Sequence, residues 1–186
     1  MIVRKQPLLP SNVASFICSR LLVVLVAFAA LGFSHENPGW HSATDEELKH
    51  VIPARAPVEK ERIETEFRTA SGIVNRHGKY VAGVVLITAG YSADGKYSHF
   101  FTTDVPVTVG TIVLRPGEYV FGSRHGNNDT LNVKFYEAES GKFLGDVAAT
   151  RQSRIGKIES FHIACMGDHG LVEIGRFGFP YRITPQ

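Results

Sequence analysis

From about residue 71 onward the chain predicts an all-β, antiparallel domain, on three observations. Short apolar runs alternate with Gly, Asn, Asp and Pro clusters at near-regular spacing, the rhythm of a sandwich or barrel. Leu131, Val133 and Phe135 alternate with Thr130, Asn132 and Lys134, which sends one face to a core and the other to water. Gly83-Val84-Val85-Leu86-Ile87 is apolar at every position after the glycine, which suits a central strand covered on both sides. The expectation is an antiparallel β-sandwich of about 8–10 short strands.

The N-terminus reads as an address. Leu21–Phe33 is an unbroken apolar run of 13 residues preceded by Arg4, Lys5 and Arg20. A spanning helix needs about 20 apolar residues. A basic start, a short apolar stretch and the small residues Ala27, Ala29, Ala30, Gly32 and Ser34 are the parts of a secretory signal. The alternative is an uncleaved signal-anchor extended back over Phe16–Cys18, with membrane contact through residues 21–33. Both place the domain outside the cytoplasm, periplasmic or secreted.

Residues 35–70 read as a polar linker with short helices. Thr44-Asp45-Glu46-Glu47 has capping-box spacing, with Thr44 and Glu47 each serving the other's backbone N–H. That predicts a helix over Asp45–His50, ending before Pro53. Glu59–Arg68 is a second helix candidate, because Ile63/Phe67, Lys60/Glu64 and Arg62/Glu66 are each four apart. The segment is expected to act as a tether, or as a partner-binding helix if docked. Trp40, the one tryptophan, is placed to anchor it to the domain or to a headgroup layer.

The strands expected in residues 71–186 are Gly83–Thr88, Tyr97–Thr102, Val105–Val109, Thr111–Leu114 and Glu118–Gly122. They continue with Thr130–Tyr136, Phe143–Ala149, Ile158–Ile163, Leu171–Phe177 and Tyr181–Ile183. Arg115-Pro116-Gly117-Glu118 puts Pro and Gly where a type II turn wants them, predicting a hairpin over Thr111–Gly122. Ser92-Ala93-Asp94-Gly95, His125-Gly126-Asn127-Asn128-Asp129 and Glu139-Ser140-Gly141 are further turns.

Val107, Gly110, Val113 or Leu114, Pro116, Gly117 and Tyr119 follow the pattern V-x-x-G-x-x-L-x-P-G-x-Y. The stretch resembles a hairpin of uncharacterised secreted bacterial β-sandwich domains. The resemblance covers under a tenth of the chain, implies export and a sandwich fold, and implies no catalytic residue.

Charge narrows the partners. The chain has 20 basic and 18 acidic residues; without Arg4, Lys5 and Arg20 the basic count is 17. A near-neutral domain lacks the excess of cations that nucleic-acid binding draws on. Cys18 precedes the apolar run, so cleavage leaves Cys165 alone and no intrachain disulfide.

The densest chemistry is His162-Ile163-Ala164-Cys165-Met166-Gly167-Asp168-His169. Two His, a Cys and an axial Met on a β-sandwich are the ligands of a type-1 copper site. Cupredoxins are similar in fold class and in a Cys followed by a His. Their axial Met follows that His, however, whereas Met166 precedes His169, and the remaining His would come from His77, His99 or His125. Zinc through His162, Cys165 and His169 lacks a fourth ligand. The structural alternative is a polar hairpin tip at Met166–Gly170 with Cys165 packed inward.

No G-x-S-x-G elbow surrounds Ser92, Ser98, Ser123, Ser153 or Ser160. Asp168 and His169 would face opposite ways on a strand. Glu137 and Glu139 read as a solvated edge. Arg151, Arg154 and Lys157 form a loose basic patch, suited to an acidic glycan or a lipid headgroup. Tyr97, His99, Phe100 and Phe101 are the candidate ligand surface, since adjacent aromatics in a strand point one of the pair outward.

These readings converge on an exported, non-enzymatic binding or envelope-interaction module with a protein or glycan partner. A periplasmic metal-binding or copper electron-transfer protein built on His162–His169 is the alternative, and a hydrolase the third.

Overall fold

The structure, a computed structural model, describes residues 39–126, 129–153 and 157–184. The expected signal or anchor and Arg154 lie outside the described residues, as does part of the His125–Asp129 turn.

The fold is antiparallel β with one short helix among the described residues. Strands β4 (Tyr80–Leu86), β5 (His99–Thr103), β6 (Val107–Val109), β7 (Ile112–Leu114) and β8 (Gly117–His125) are followed by β9 (Thr130–Glu137) and β10 (Phe143–Arg151). The chain ends with β11 (His162–Met166), β12 (His169–Ile174) and β13 (Phe177–Ile183). Each expected strand overlaps one of these, but expected Ile158–Ile163 shares only His162 and Ile163 with β11, and expected Leu171–Phe177 runs across the turn between β12 and β13.

The rest come from the expected linker, which is corrected here. Residues 37–186 form one compact unit. Within it, β1 (His41–Ser42), α1 (Asp45–Val51), β2 (Arg55–Val58) and β3 (Glu61–Val74) precede β4. α1 carries the expected capping box, with Thr44 N–H to Glu47 Oε2 at 2.8 Å and Glu47 N–H to Thr44 Oγ1 at 3.3 Å. The second expected helix is instead β3. Ile63 is buried while Arg62 and Glu64 are exposed, a period of two that the strand satisfies by pairing with β2 and β4. Tertiary pairing outweighs the helical charge pairs, each worth only about 0.2–0.5 kcal/mol.

Hydrogen bonding runs β1-β3-β4-β5-β8-β9-β10-β13-β12-β11, with β2 on β3, β6 on β13 and β7 on β6. The sheet nearly closes. Ser71 Oγ on β3 accepts the Ile163 N–H of β11 at 2.9 Å. The expected Thr111–Gly122 hairpin does not form. β7 pairs with β6 across Gly110, whose φ is 58°, and β8 pairs with β5 and β9. Gly117 has a φ of 157°, far from the roughly +80° of a type II turn. Pro116 and Gly117 instead turn a corner between non-partner strands, where the Tyr119 hydroxyl donates to the Arg115 carbonyl at 2.7 Å, a tyrosine corner.

Two apolar clusters flank the central strands. Inside the curled sheet, Phe101, Phe121, Phe135 and Phe179 meet with Ile73, Val81, Ile163 and Val172. Trp40 is buried in this cluster. Gly83 admits the Phe161 ring, because a Cβ there would lie 2.8 Å from it. On the outer face Ala82, Val84, Phe100 and Val120 are covered by Leu48 and Ile52 of α1, Ala56 and Val58 of β2, Ile63 and Tyr97.

Phe100 and Phe101 thus point to opposite faces, both sealed. Phe100→Ala is expected to lower stability in urea unfolding by about 3–5 kcal/mol, as for a buried aromatic. A loss below about 0.5 kcal/mol, the range of an exposed position, would overturn the two-face packing.

Candidate functional site

The structure does not assemble the expected metal site. On β11, His162 and Cys165 are three residues apart and so face opposite sides of the sheet. Met166 pairs with His169, which shares the face of Met166 and His162 rather than that of Cys165. Cys165 is half-buried against the interior cluster, with its thiol 3.7 Å from the Gly167 carbonyl. Gly167, at φ 79°, leads the two-residue turn between β11 and β12, as a type II′ turn requires. Among the described residues no group of three or more His, Cys, Asp or Glu is arranged to hold a metal. Copper and zinc through His162, Cys165 and His169 are therefore corrected: strand alternation puts Cys165 on the face opposite the two histidines.

Asp168 and His169 do meet, contrary to the expectation from strand alternation. His169 Nδ1 lies 2.9 Å from Asp168 Oδ1, because Asp168 belongs to the turn. The bond to His169 holds the Asp168 carboxyl below its usual range. Both side chains are exposed.

The expected aromatic ligand surface is also corrected. Tyr97, His99, Phe100 and Phe101 are all buried: the expected linker covers Tyr97 and Phe100 on the outer face, while Phe101 and His99 pack inside the curled sheet, His99 against Phe121 and Phe161. The Tyr97 hydroxyl donates to Glu59 Oε1 at 2.6 Å, and Lys96 Nζ reaches the same oxygen at 2.5 Å. The Lys96 ammonium sits 4.7 Å from the Tyr97 ring centre. Hydrogen bonds from Lys96, then from Tyr97, hold the Glu59 carboxyl below its usual range.

His99 is stacked on Phe121, with centres 4.7 Å apart and planes 9° apart, and lies 5.2 Å from Phe161. Its Nδ1 is 2.8 Å from Ser98 Oγ, while its buried Nε2 has no partner among the described residues. Burial pushes its pKa down to about 3.

A constellation the sequence did not suggest joins β3 to β11. His162 Nδ1 lies 3.2 Å from Glu159 Oε2 and 3.4 Å from Ser71 Oγ. A catalytic triad needs serine and acid on different imidazole nitrogens; here both share Nδ1. The Ser71 oxygen is also taken by the Ile163 N–H. The cluster therefore fastens the closing seam and is not built as a nucleophile. It lines a groove of about 380 Å³ whose lining holds Arg68 and Lys157 together with Asp45 and Glu159, Lys157 pairing with Glu159 and Arg68 with Glu66.

A second groove, of about 550 Å³, opens at the rim of the sheet, within the usual size of ligand sites. Its walls follow from strand register. Phe121, Ser123 and His125 alternate on the interior face of β8, and His125 pairs with Leu131 of β9. Arg151 ends β10 opposite Phe177 of β13, which in turn pairs with Ile174 of β12. Ile158, Ser160, Gly175 and Arg176 complete the lining, and among the described lining residues there is no carboxylate. The Arg151 guanidinium is paired with Asp129 and lies 5.2 Å from the Phe177 ring centre. The His125 ring meets the same phenyl edge-on at 6.0 Å.

Of the expected basic patch, Arg151 reaches this groove and Lys157 the other. Phe177 and Arg176 are not singled out by the sequence, and His125 is considered only as a copper ligand. The signal for His125 and Phe177 is the same alternation that places Phe121 and Phe179 in the core, continued to the strand ends, whereas Arg176 comes from the turn between β12 and β13. Comparison with family models, curated proteins and solved structures returned no match.

His99 makes stability pH-dependent. The unfolded imidazole takes a proton near pH 6.5, the folded one only near pH 3. Between these values the unfolded chain binds more protons, so stability falls as pH falls, by up to about 1.4 kcal/mol per pH unit. Urea unfolding from pH 7 to pH 4 is expected to show a smaller loss in His99→Phe than in the wild type. Equal slopes would remove His99 as the cause.

Proposed function

We propose that this chain is an exported, non-enzymatic binding module of the cell envelope, with its ligand in the groove at the sheet rim. One observation carries the reading. Leu131, Ile174 and Phe177 offer apolar surface beside Arg151, Arg176 and two serine hydroxyls, the mixture of apolar wall and a few polar groups that ligand sites use. The fold reading that accompanies it is a sandwich-like closure of the sheet. It is supported by Phe179 of β13 meeting Phe121 and Phe135 across the interior, at 6.3 and 5.8 Å. Export rests on the apolar run Leu21–Phe33 behind Arg4 and Lys5.

Two measurements test this. The full chain, expressed in a bacterium, is expected to fractionate outside the cytoplasm, and Arg4→Glu with Lys5→Glu to retain it inside; equal distribution of the two would overturn export. For the site, a small-fragment panel is titrated into the isotopically labelled protein. Amide shifts are expected to cluster at Ser123, Arg151, Ser160 and Phe177. Shifts confined to other surfaces, or none, would overturn the groove as the ligand site.

A further inference from the structure

The rim groove is lined by both cationic and aliphatic side chains. Arg176 is exposed, and among the described residues no carboxylate pairs with it. Arg151 is already neutralised by Asp129, which holds its guanidinium in place beside Phe177. The uncompensated charge of the groove is therefore that of Arg176, with the Ser123 and Ser160 hydroxyls as further donors. An ionised oxygen acceptor suits this set, since charge-assisted hydrogen bonds are about twice as strong as neutral ones.

Leu131, Ile158 and Ile174 supply the aliphatic part of the lining. Ile158 is 49% exposed, one of the few large apolar side chains on the surface. A sugar ring would seek an open aromatic face, and the Phe177 ring already carries the Arg151 guanidinium. Aliphatic side chains offer no stacking plane and favour flexible hydrocarbon, through burial of apolar area.

We infer that the groove takes an anionic amphiphile, a carboxylate or phosphate head on a single acyl chain. The head lies at Arg176 and the chain along Ile158, Leu131 and Ile174. This rests on the reading that the rim groove is the ligand site.

The test is calorimetric titration of the full chain, below micelle-forming concentrations, with dodecanoate, dodecyl phosphate, dodecanol, inorganic phosphate and an acidic disaccharide. Saturable one-to-one binding of dodecanoate and dodecyl phosphate is expected, with dodecanol at least about tenfold weaker. Arg176→Gln is expected to weaken the two anions about tenfold and leave dodecanol unchanged, while Ile158→Ser weakens all three. Dodecanol binding as tightly as dodecanoate, unaffected by Arg176→Gln, would overturn the anionic head but keep the groove. Inorganic phosphate or the disaccharide binding as tightly as dodecyl phosphate would overturn the acyl chain. No binding of any probe would overturn the amphiphile, and the fragment titration then decides separately whether the groove is a site at all. A phosphate or carboxylate head free in solution and one in a bilayer are told apart by repeating the titration with vesicles of neutral lipid containing a tenth of an anionic lipid. Uptake from vesicles that Arg176→Gln abolishes points to a lipid source.

Discussion

Strands β4, β5 and β8 carry large apolar side chains on both faces, and each face must be kept from water. Curling the sheet on itself buries Val81, Phe101 and Phe121 on the inside. It leaves Ala82, Val84, Phe100 and Val120 on the outside, where the chain itself must supply the cover. The segment from α1 through the start of β3 does so with Leu48, Ile52, Ala56, Val58 and Ile63. The cover is fastened at Glu59, which turns β2 into β3 at a φ of 54°. That left-handed conformation costs about 1–2 kcal/mol for a residue with a side chain. It is held by the Glu59 N–H donating to the Ala138 carbonyl at 2.6 Å, and by Tyr97 and Lys96 at the carboxylate.

The same alternation that fills the interior also makes the rim. Along β8 the inward series runs from Tyr119 and Phe121 to Ser123 and His125, and along β10 from Ala149 to Arg151. Where the strands pass beyond the aromatic core, the inward positions turn polar and cationic. A groove arises without any dedicated motif, because the curled sheet brings strand ends distant in sequence to one opening. Asp129 and Phe177 then hold Arg151 at its edge.

Two expectations failed for reasons of direction. His162, Cys165 and His169 are close in sequence, but a strand sends successive side chains to opposite faces, so proximity along the chain worked against a shared site. Asp168 and His169 show the converse: a turn is free of that alternation, and neighbours there hydrogen-bond. The Pro116-Gly117 pair was read as a hairpin turn because local turn chemistry cannot distinguish a hairpin from a corner between strands that never pair. Tyr119, two residues later, carried the missing signal, since its hydroxyl closes the corner on Arg115.

Local patterns determined the antiparallel β class, ten of the strands, the α1 capping box and the inward set Leu131, Val133 and Phe135, because each depends on neighbours within a few residues. Arg62-Ile63-Glu64-Thr65-Glu66-Phe67-Arg68 also carried a strand pattern, but its charges and apolar pair fit a helix equally well. Only tertiary structure decided between them, by offering β2 and β4 as hydrogen-bond partners and an apolar face in need of cover. The buried state of Tyr97 and Phe100 was decided in the same way, by a segment more than 30 residues upstream, and that of His99 and Phe101 by Phe121, Phe135 and Phe161 downstream. Whether a strand face is surface or core depends on what else the chain folds against it.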